Sequence, residues 1–297
     1  MKVKVSIAAV AMLVLAGVMA GSGASAGADR TEGPRPSTAC PERGRSAHGH
    51  AQGGQDQARP GAVRNPGEAK GVPDHACRPT RSVELSGAAY VFNVGSRIAG
   101  AEVRIAELPD LVTTTAEDGT WSLTVPSGAD VTPYIQAEGF RTMHVQTFHT
   151  GADDIADINF QTPTTGVHDA LAALITAYTG GDPYGDGCGI VTTVSDPVVV
   201  GMPFDEFVYF APHGVAGATA FGTPDLPDPI YFNDHVIPDP NQHLTSGDGG
   251  VLWPRVPAGT YEITATHPTV EFSSFTATCV PGRLINANPP WGAHGLP

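Results

Sequence analysis

The fold is decided by a stretch of sequence that occurs twice. Thr115–Gly128 is TAEDGTWSLTVPSG, and Thr245–Gly259, which begins 130 positions later, is TSGDGGVLWPRVPAG. Each copy contains an Asp-Gly pair, a short run of strand-forming residues and a Val-Pro-x-Gly turn. Asp-Gly favours a tight hairpin loop because glycine adopts a positive φ without steric cost and aspartate tolerates one. The repeat therefore predicts two related β-domains.

The two copies differ in length by one residue. Five residues separate Gly119 from Val125, whereas six separate Gly249 from Val256. One extra residue in a paired strand produces a β-bulge or a shift of register. We therefore expect an irregular strand after the second Asp-Gly turn.

Short alternating runs on both sides of the repeat predict β-sandwiches. In Ala101–Ile105 the apolar side chains alternate with Glu102 and Arg104, as in a strand with one buried and one solvated face. Many short strands separated by turns are typical of two-sheet sandwiches. The strands predicted for the first domain are 88–93, 101–106, 111–115, 120–125, 131–137, 142–147 and 155–160. Those predicted for the second are 189–195, 204–210, 216–221, 229–233, 242–246, 250–255, 259–267, 271–278 and 283–287.

One amphipathic helix is predicted between the two domains. Apolar side chains recur at three-and-four spacing from Val167 to Tyr178. Thr165 is the predicted N-cap, and the glycine pair at 180–181 is the predicted end. We expect the helix to pack against the edge of a sandwich.

His168 and Asp169 are neighbours on this helix and invite comparison with a catalytic pair. Adjacent helical side chains point in different directions, which argues against a direct contact between the two. We interpret Asp169 as a first-turn acid that stabilises the helix dipole.

Several turn and core positions of the first domain resemble the carboxypeptidase regulatory-like domain. They are Gly100-Ala101-x-Val103, Thr114-Thr115, Asp118-Gly119-x-Trp121-x-Leu123, Val125-Pro126-x-Gly128 and Glu138-Gly139-Phe140. Members of that family adopt the prealbumin, or transthyretin-like, β-sandwich, as an accessory beside a catalytic domain or as a repeated part of extracellular proteins. The second domain is similar more loosely, through 214–218, 248–249, 256–259 and 261–265. The resemblance implies a fold and no catalytic residue.

The first 82 residues have the composition of an export signal and a linker. Lys2 and Lys4 precede about 16 apolar residues, fewer than the ~20 of a membrane span, and Ala24-Ser25-Ala26 offers a cleavage site. Residues 27–82 contain no aromatic side chain and cannot bury enough apolar surface to offset their ordering entropy. We expect a secreted protein without a membrane span, in which a signal peptide (1–26) precedes a disordered linker (27–82).

The predicted architecture is all-β. Two tandem prealbumin-like β-sandwich domains, 83–162 and 188–291, are joined by a helix and connector at 163–187 and followed by a tail at 292–297. Residues 83–297 hold five arginines against 24 acids, a charge of −19. Such an acidic body repels nucleic-acid phosphates and anionic membrane surfaces. The expected partners are extracellular carbohydrate or protein.

Four cysteines remain after the signal segment, and an even number in an exported chain indicates disulfides. Three connectivities are open. We favour Cys188 with Cys279, which bracket the second domain, and Cys40 with Cys77, which bracket the linker.

The candidate binding surface is the proline-rich and acidic insertion 223–242, since a long loop is uncommon without a role. Its candidate binding residues are Asp225, Asp228 and Asp239. Trp253 joins them as a sugar-stacking candidate, although core packing is the favoured role for this tryptophan.

The sequence offers two candidate metal sites, with solvated loops as the alternative. A metal-dependent enzyme in the second domain would have the candidate ligands His213, Asp234, His235 and Tyr231. Calcium could be held by the connector 180–189 or by the acids at 153, 154 and 157, but neither follows the EF-hand pattern. We therefore expect no cofactor, with calcium as the alternative.

No catalytic motif accompanies the predicted fold. The sequence contains no His-x-x-Glu zinc pair, no Gly-x-Ser-x-Gly elbow and no phosphate-binding loop. The sequence favours a secreted, non-catalytic binding or spacer protein, with carbohydrate as a candidate ligand. The alternative is an extracellular metal-dependent enzyme with a His/Asp/Tyr site in the second domain.

Overall fold

A computed structural model describes residues 81–297 with the exception of Val208. The predicted signal peptide, the linker and the Cys40–Cys77 pair lie outside the described residues. In the part that is described, no helix is both long enough and apolar enough to cross a membrane.

The described part of the chain is all-β, as predicted, with 17 short strands and little helix. The strands of the first half are β1 (Ser82–Val91), β2 (Glu102–Ile105), β3 (Leu108–Thr114), β4 (Thr120–Pro126), β5 (Asp130–Val131), β6 (Pro133–Gln136), β7 (Met143–His144), β8 (Phe148–His149) and β9 (Phe160–Thr162). Those of the second half are β10 (Cys188–Thr193), β11 (Thr219–Thr223), β12 (Ile230–Phe232), β13 (Pro238–Asp239), β14 (Gly250–Val256), β15 (Gly259–Thr266), β16 (Phe275–Cys279) and β17 (Leu284–Ala287). The helices are α1 (Thr165–Thr179) and α2 (Phe204–Phe207), and Pro197–Val199 forms a 3-10 turn.

Each half is a sandwich with its own core. In the first half, the sheet β4-β1-β9 faces the strands β3-β2-β6-β7. Trp121 and Phe160 meet there with ring centroids 5.6 Å apart, among buried aliphatic side chains. In the second half, β11-β15-β16 faces β13-β12-β14-β10-β17 around Trp253 and Ile263.

The two sandwiches share one sheet of nine strands, in the order β13-β12-β14-β10-β17-β7-β6-β2-β3. The connection is the parallel pairing of β17 with β7, at Ile285 and His144. Two buried asparagines reinforce it, because the side-chain amide of Asn286 donates to Gln161 O and that of Asn288 donates to Asn159 O. The junction between the halves is therefore a hydrogen-bonded sheet rather than a linker.

The predicted repeat is visible in the hydrogen bonds. The hydroxyl of Thr115 accepts from Ala101 N at 2.9 Å, and the hydroxyl of Thr245 accepts from Ala218 N at 2.8 Å. Each hydroxyl also donates to the backbone carbonyl three residues before that alanine. Equivalent threonines, Thr115 and Thr245, therefore join equivalent segments in the two sandwiches.

Replacing Thr245 with valine is expected to destabilise the protein by about 2 kcal/mol. Valine keeps the shape of threonine but leaves the buried Ala218 amide and the Val215 carbonyl without the hydroxyl, and an unsatisfied buried group costs ~1–3 kcal/mol. Thr245→Ser, which keeps the hydroxyl, should lose much less. Urea unfolding compares the two variants, and equal stability would contradict the role assigned to the hydroxyl.

The predicted hairpins at the Asp-Gly pairs are wrong. The strands on either side of the first pair lie in different sheets, since β3 pairs with β2 whereas β4 pairs with β1. Gly119 does adopt a positive φ of 76°, and Asp118 accepts from Thr120 N. An Asp-Gly pair fixes a sharp reversal of the chain, but the sheet that each strand joins is decided by packing.

The predicted irregular strand after the second pair is confirmed. Cys188 faces Val256, but Ile190 faces Trp253, so β14 carries one residue more than β10 over this stretch. The surplus lies at the Pro254–Arg255 step, and Arg255 has a φ of 58°. In the first sandwich β1 and β4 pair without such a shift.

Two predicted strands of the second domain are also wrong. Residues 204–207 of the predicted strand 204–210 form α2, with the amides of Glu206 and Phe207 both bonded to Pro203 O. Short apolar runs do not distinguish strand from helix, and a proline at a helix start favours the helix. No strand forms at 242–246, where Gln242 instead donates to the carbonyls of Phe232 and Leu244.

Candidate functional site

Helix α1 lies on a face of the nine-stranded sheet. Ile175 packs against Ile230, Phe232 and Leu252 on β12 and β14. The predicted position at a sandwich edge is therefore wrong. These strands are covered on both faces, which suits the apolar run 251–253 of β14.

The helix begins and ends close to the predicted residues. Thr164, one residue before the predicted cap, accepts from Val167 N at 3.3 Å. Gly180 ends the helix in the left-handed conformation that glycine favours. One side of the helix, from His168 to Thr176, forms a wall of a cleft.

The cleft has a volume of about 560 Å³ and lies between α1, the loop before β7, the connector and the turn before β17. Its charged side chains on the helix side are in contact with one another. Asp169 accepts from Arg141 at 2.9 Å and lies 3.0 Å from His168 Nδ1. The expectation that His168 and Asp169 diverge is therefore wrong, and Asp169 does not lie in the first turn of the helix.

The two hydrogen bonds lower the pKa of Asp169, the contact from His168 more than that from Arg141. The carboxylate is therefore charged at neutral pH. Since Arg141 and Asp169 are each about half exposed, both remain able to bond to a ligand in the cleft.

The opposite wall is formed by the connector. Tyr184 places its ring 5.2 Å from that of His168. Burial, with a further contribution from the charge of Asp182, raises the pKa of Tyr184 to about 12. Asp182 itself turns the loop by accepting from Tyr184 N. The phenol is therefore neutral, and the carboxylate adds a second negative charge to the cleft.

A smaller cavity of about 60 Å³ lies under the helix, beside the cleft. His168, Tyr184 and Leu284 line both spaces. The remaining lining is mostly apolar and comprises Phe92, Met143, Gln161, Pro163, Leu171, Ile175, Val191, Phe232, Pro238, Leu252 and Asn286.

The predicted binding residues have different surroundings. Asp225 and Asp228 are exposed on the segment before β12. Asp239 accepts from Asn241 N and caps a local turn. Trp253 is 1% exposed in the core of the second sandwich. The insertion extends the edge of the nine-stranded sheet with β12 and β13, rather than forming a free loop.

The predicted metal ligands are not brought together as a ligand set. Tyr231 is buried in the second core, where its hydroxyl accepts from Ala220 N. Asp234 accepts from Gly247 N and His213 contacts Phe210 O, whereas His235 is exposed. Over residues 81–297, Val208 aside, no three His, Cys, Asp or Glu side chains are arranged to hold a metal ion.

The two candidate calcium loops use their carboxylates to order the backbone. Asp154 accepts from Glu84 N at 2.7 Å, and Asp182 accepts from Tyr184 N at 2.9 Å. Among the described residues, neither loop contains three His, Cys, Asp or Glu side chains arranged to hold a metal ion.

The predicted Cys188–Cys279 disulfide is confirmed. It closes a sequence separation of 91 residues and joins β10 to β16, across the two sheets of the second sandwich. Both cysteines belong to the core of that sandwich.

The cleft is not predicted by any pattern in the sequence. Its charged residues come from three separate segments, around 141, 168 and 182, and none belongs to a recognised motif. The adjacent His168-Asp169 pair is a signal for it, because neighbouring side chains on a helix can still meet when one of them bends along the surface, as these two do at 3.0 Å. The pairing of Asp169 with Arg141 depends on the fold.

No family model matches the chain, and no curated protein matches it. Among solved structures, it is similar to the Bacillus anthracis TIE protein, with a TM-score of 0.21 and 11% identity over 71% of this chain. It is also similar to a type II cohesin-X-dockerin complex from Acetivibrio cellulolyticus (TM-score 0.22, 17% identity, 25% of this chain). A third match is a minor pilin from Streptococcus agalactiae (TM-score 0.22, 9% identity, 72% of this chain and 97% of the pilin). The chain spans about a third of the TIE protein (34%) and about half of the cohesin-dockerin chain (52%). Likenesses of this size carry no argument about function.

Proposed function

We propose that the protein is a secreted, non-catalytic binding or spacer protein of the extracellular space. Two prealbumin-like sandwiches, 83–162 and 188–291, form its body, and the cleft beside α1 is its carbohydrate-binding site. The Cys188–Cys279 disulfide supports the compartment, because disulfides persist in oxidising environments.

The shared nine-stranded sheet supports the spacer role. A flexible linker would let two sandwiches move independently, whereas here backbone pairing and buried amides join them. The indole of Trp291 adds a further tie by donating to Ala156 O at 3.0 Å. A ligand site on one half therefore keeps a fixed position relative to the other half.

The single observation that carries the binding role is the Arg141–Asp169–His168 cluster in an open cleft. Sugar hydroxyls both donate and accept hydrogen bonds, and a charged donor beside a charged acceptor serves both functions. The volume of about 560 Å³ lies within the range of small-molecule sites, and Leu284 and Tyr184 add an apolar wall.

Asp169→Ala is expected to weaken binding of a carbohydrate ligand by roughly tenfold to a hundredfold. A hydrogen bond to a charged group contributes ~1.5–3 kcal/mol, and each 1.4 kcal/mol is a factor of ten. A glycan array with chitin, cellulose, mannan and peptidoglycan fragments would select the ligand, and titration calorimetry would compare the variants.

Asp130→Ala is the matched control. Asp130 also pairs with a histidine, His149, at 2.8 Å, but the pair is exposed and does not line the cleft. The control should bind like the wild-type protein. A broad array without a hit, or equal losses in both variants, would contradict the carbohydrate site.

A further inference from the structure

The ligand class is indicated by the small cavity beside the cleft. We propose that this cavity is a subsite for an acetyl group, so that the saccharide bound in the cleft carries an acetamido substituent. The inference rests on the proposed function of the cleft and specifies its ligand.

The size of the cavity favours an acetyl group over a larger substituent. On this scale about 10–15 Å³ holds one water molecule, whereas a cavity that binds benzene has about 150 Å³. A cavity of about 60 Å³ accommodates a group of roughly four heavy atoms, such as an acetamido group, and is too small for a sugar ring. The sugar itself would therefore remain in the larger cleft.

The chemistry of the lining also fits a methyl group. Leu171, Ile175, Val191 and Leu252 surround the cavity, and burying a methyl group there is favourable by roughly 0.8 kcal/mol. A sugar hydroxyl in the same place would lose its hydrogen bonds to water, which costs free energy unless a partner replaces them. The cavity therefore discriminates between the two substituents.

The position of the cavity links it to the polar cluster. His168 and Tyr184 line both spaces, with ring centroids 5.2 Å apart. His168 also contacts Asp169, the acceptor proposed for sugar hydroxyls. A ligand held by Asp169 therefore has its substituents next to the two rings that line both the cleft and the cavity.

The test compares two trisaccharides with the same β-1,4 backbone. Triacetylchitotriose carries acetamido groups where cellotriose carries hydroxyls. The wild-type protein should bind triacetylchitotriose at least tenfold more tightly in titration calorimetry. Equal affinities, or a preference for cellotriose, would overturn the inference while leaving the proposed function intact. If neither sugar binds and the glycan array finds no ligand, both the proposed function and the inference are overturned. If neither sugar binds but the array finds a ligand without an acetyl group, only the inference is overturned.

Val191→Ile supplies the variant arm, because its extra methylene group reduces the cavity. It should remove the preference for triacetylchitotriose and leave the affinity for cellotriose unchanged. Val112→Ile on β3, where Val112 is 45% exposed, is the matched control and should keep the preference. Asp169→Ala should weaken both sugars. An unchanged preference in Val191→Ile would overturn the acetyl subsite.

A measurement on the unaltered protein covers the case in which Val191→Ile does not fold. Nuclear Overhauser effects between the acetamido methyl and the methyl groups of Leu171 and Val191 are expected in the complex. Effects confined to residues of the open cleft, such as Ala172 and Ala173, would place the acetyl group outside the cavity and overturn the inference.

Discussion

Trp253→Ala is expected to lower the free energy of unfolding by about 3–5 kcal/mol. Trp253 is 1% exposed and is among the largest fully buried side chains of the described residues. Its removal takes away a large apolar surface and leaves a cavity that the surrounding sheets can only partly fill. Urea unfolding followed by circular dichroism measures the change, since this variant also loses a fluorophore.

The controls for Trp253 separate packing from binding. Trp121→Ala, at the related position of the first sandwich, should cost a similar amount, because Trp121 is 4% exposed and its indole donates to Ile158 O. Tyr209→Ala should be close to neutral, since Tyr209 is 80% exposed. A Trp253→Ala protein of normal stability that no longer binds carbohydrate would instead identify Trp253 as a sugar-stacking platform.

Removing the Cys188–Cys279 disulfide is expected to cost about 4–5 kcal/mol. The bond closes a sequence separation of 91 residues, and a crosslink of that span reduces the conformational entropy of the unfolded chain by a corresponding amount. The double variant Cys188→Ala/Cys279→Ala should unfold at a much lower urea concentration than the oxidised wild-type protein. Wild-type protein treated with a reductant should behave in the same way.

A reductant applied to the double variant is the control for this experiment. Any further loss of stability would come from Cys40 and Cys77, the other cysteines of the chain. Equal urea midpoints for oxidised wild type and double variant would contradict a stabilising role of the Cys188–Cys279 bond.

Helical periodicity, the length of the repeat and the number of cysteines predicted much of the fold. The spacing of Val167 to Tyr178 predicted α1 to within a residue at either end, because helical periodicity and a terminal glycine act over a few residues. The extra residue before Val256 predicted the bulge in β14. The even number of cysteines predicted the disulfide, and the bracketing of the second domain favoured the correct pair.

The errors share a physical cause, which is that strand partners are chosen by packing over long distances. Asp118-Gly119 predicted a turn correctly, but nothing local distinguishes a hairpin from a crossing between sheets. The strand predicted at 204–210 failed because a short apolar run has no preference strong enough to resist its surroundings. The sequence is compatible with either core packing or sugar stacking by Trp253, and its burial, at 1% exposure, favours core packing.

The sequence by itself determined the class of fold, the repeated Thr115 and Thr245 segments, the helix and the disulfide, since each depends on residue pattern or covalent chemistry. Tertiary structure decided the pairing of β17 with β7, which joins residues about 140 positions apart into one sheet. It also decided the contact of Arg141 with Asp169 and the cavity beside it. These features arise from segments that meet only after the sandwiches have packed, so no stretch of the chain encodes them alone.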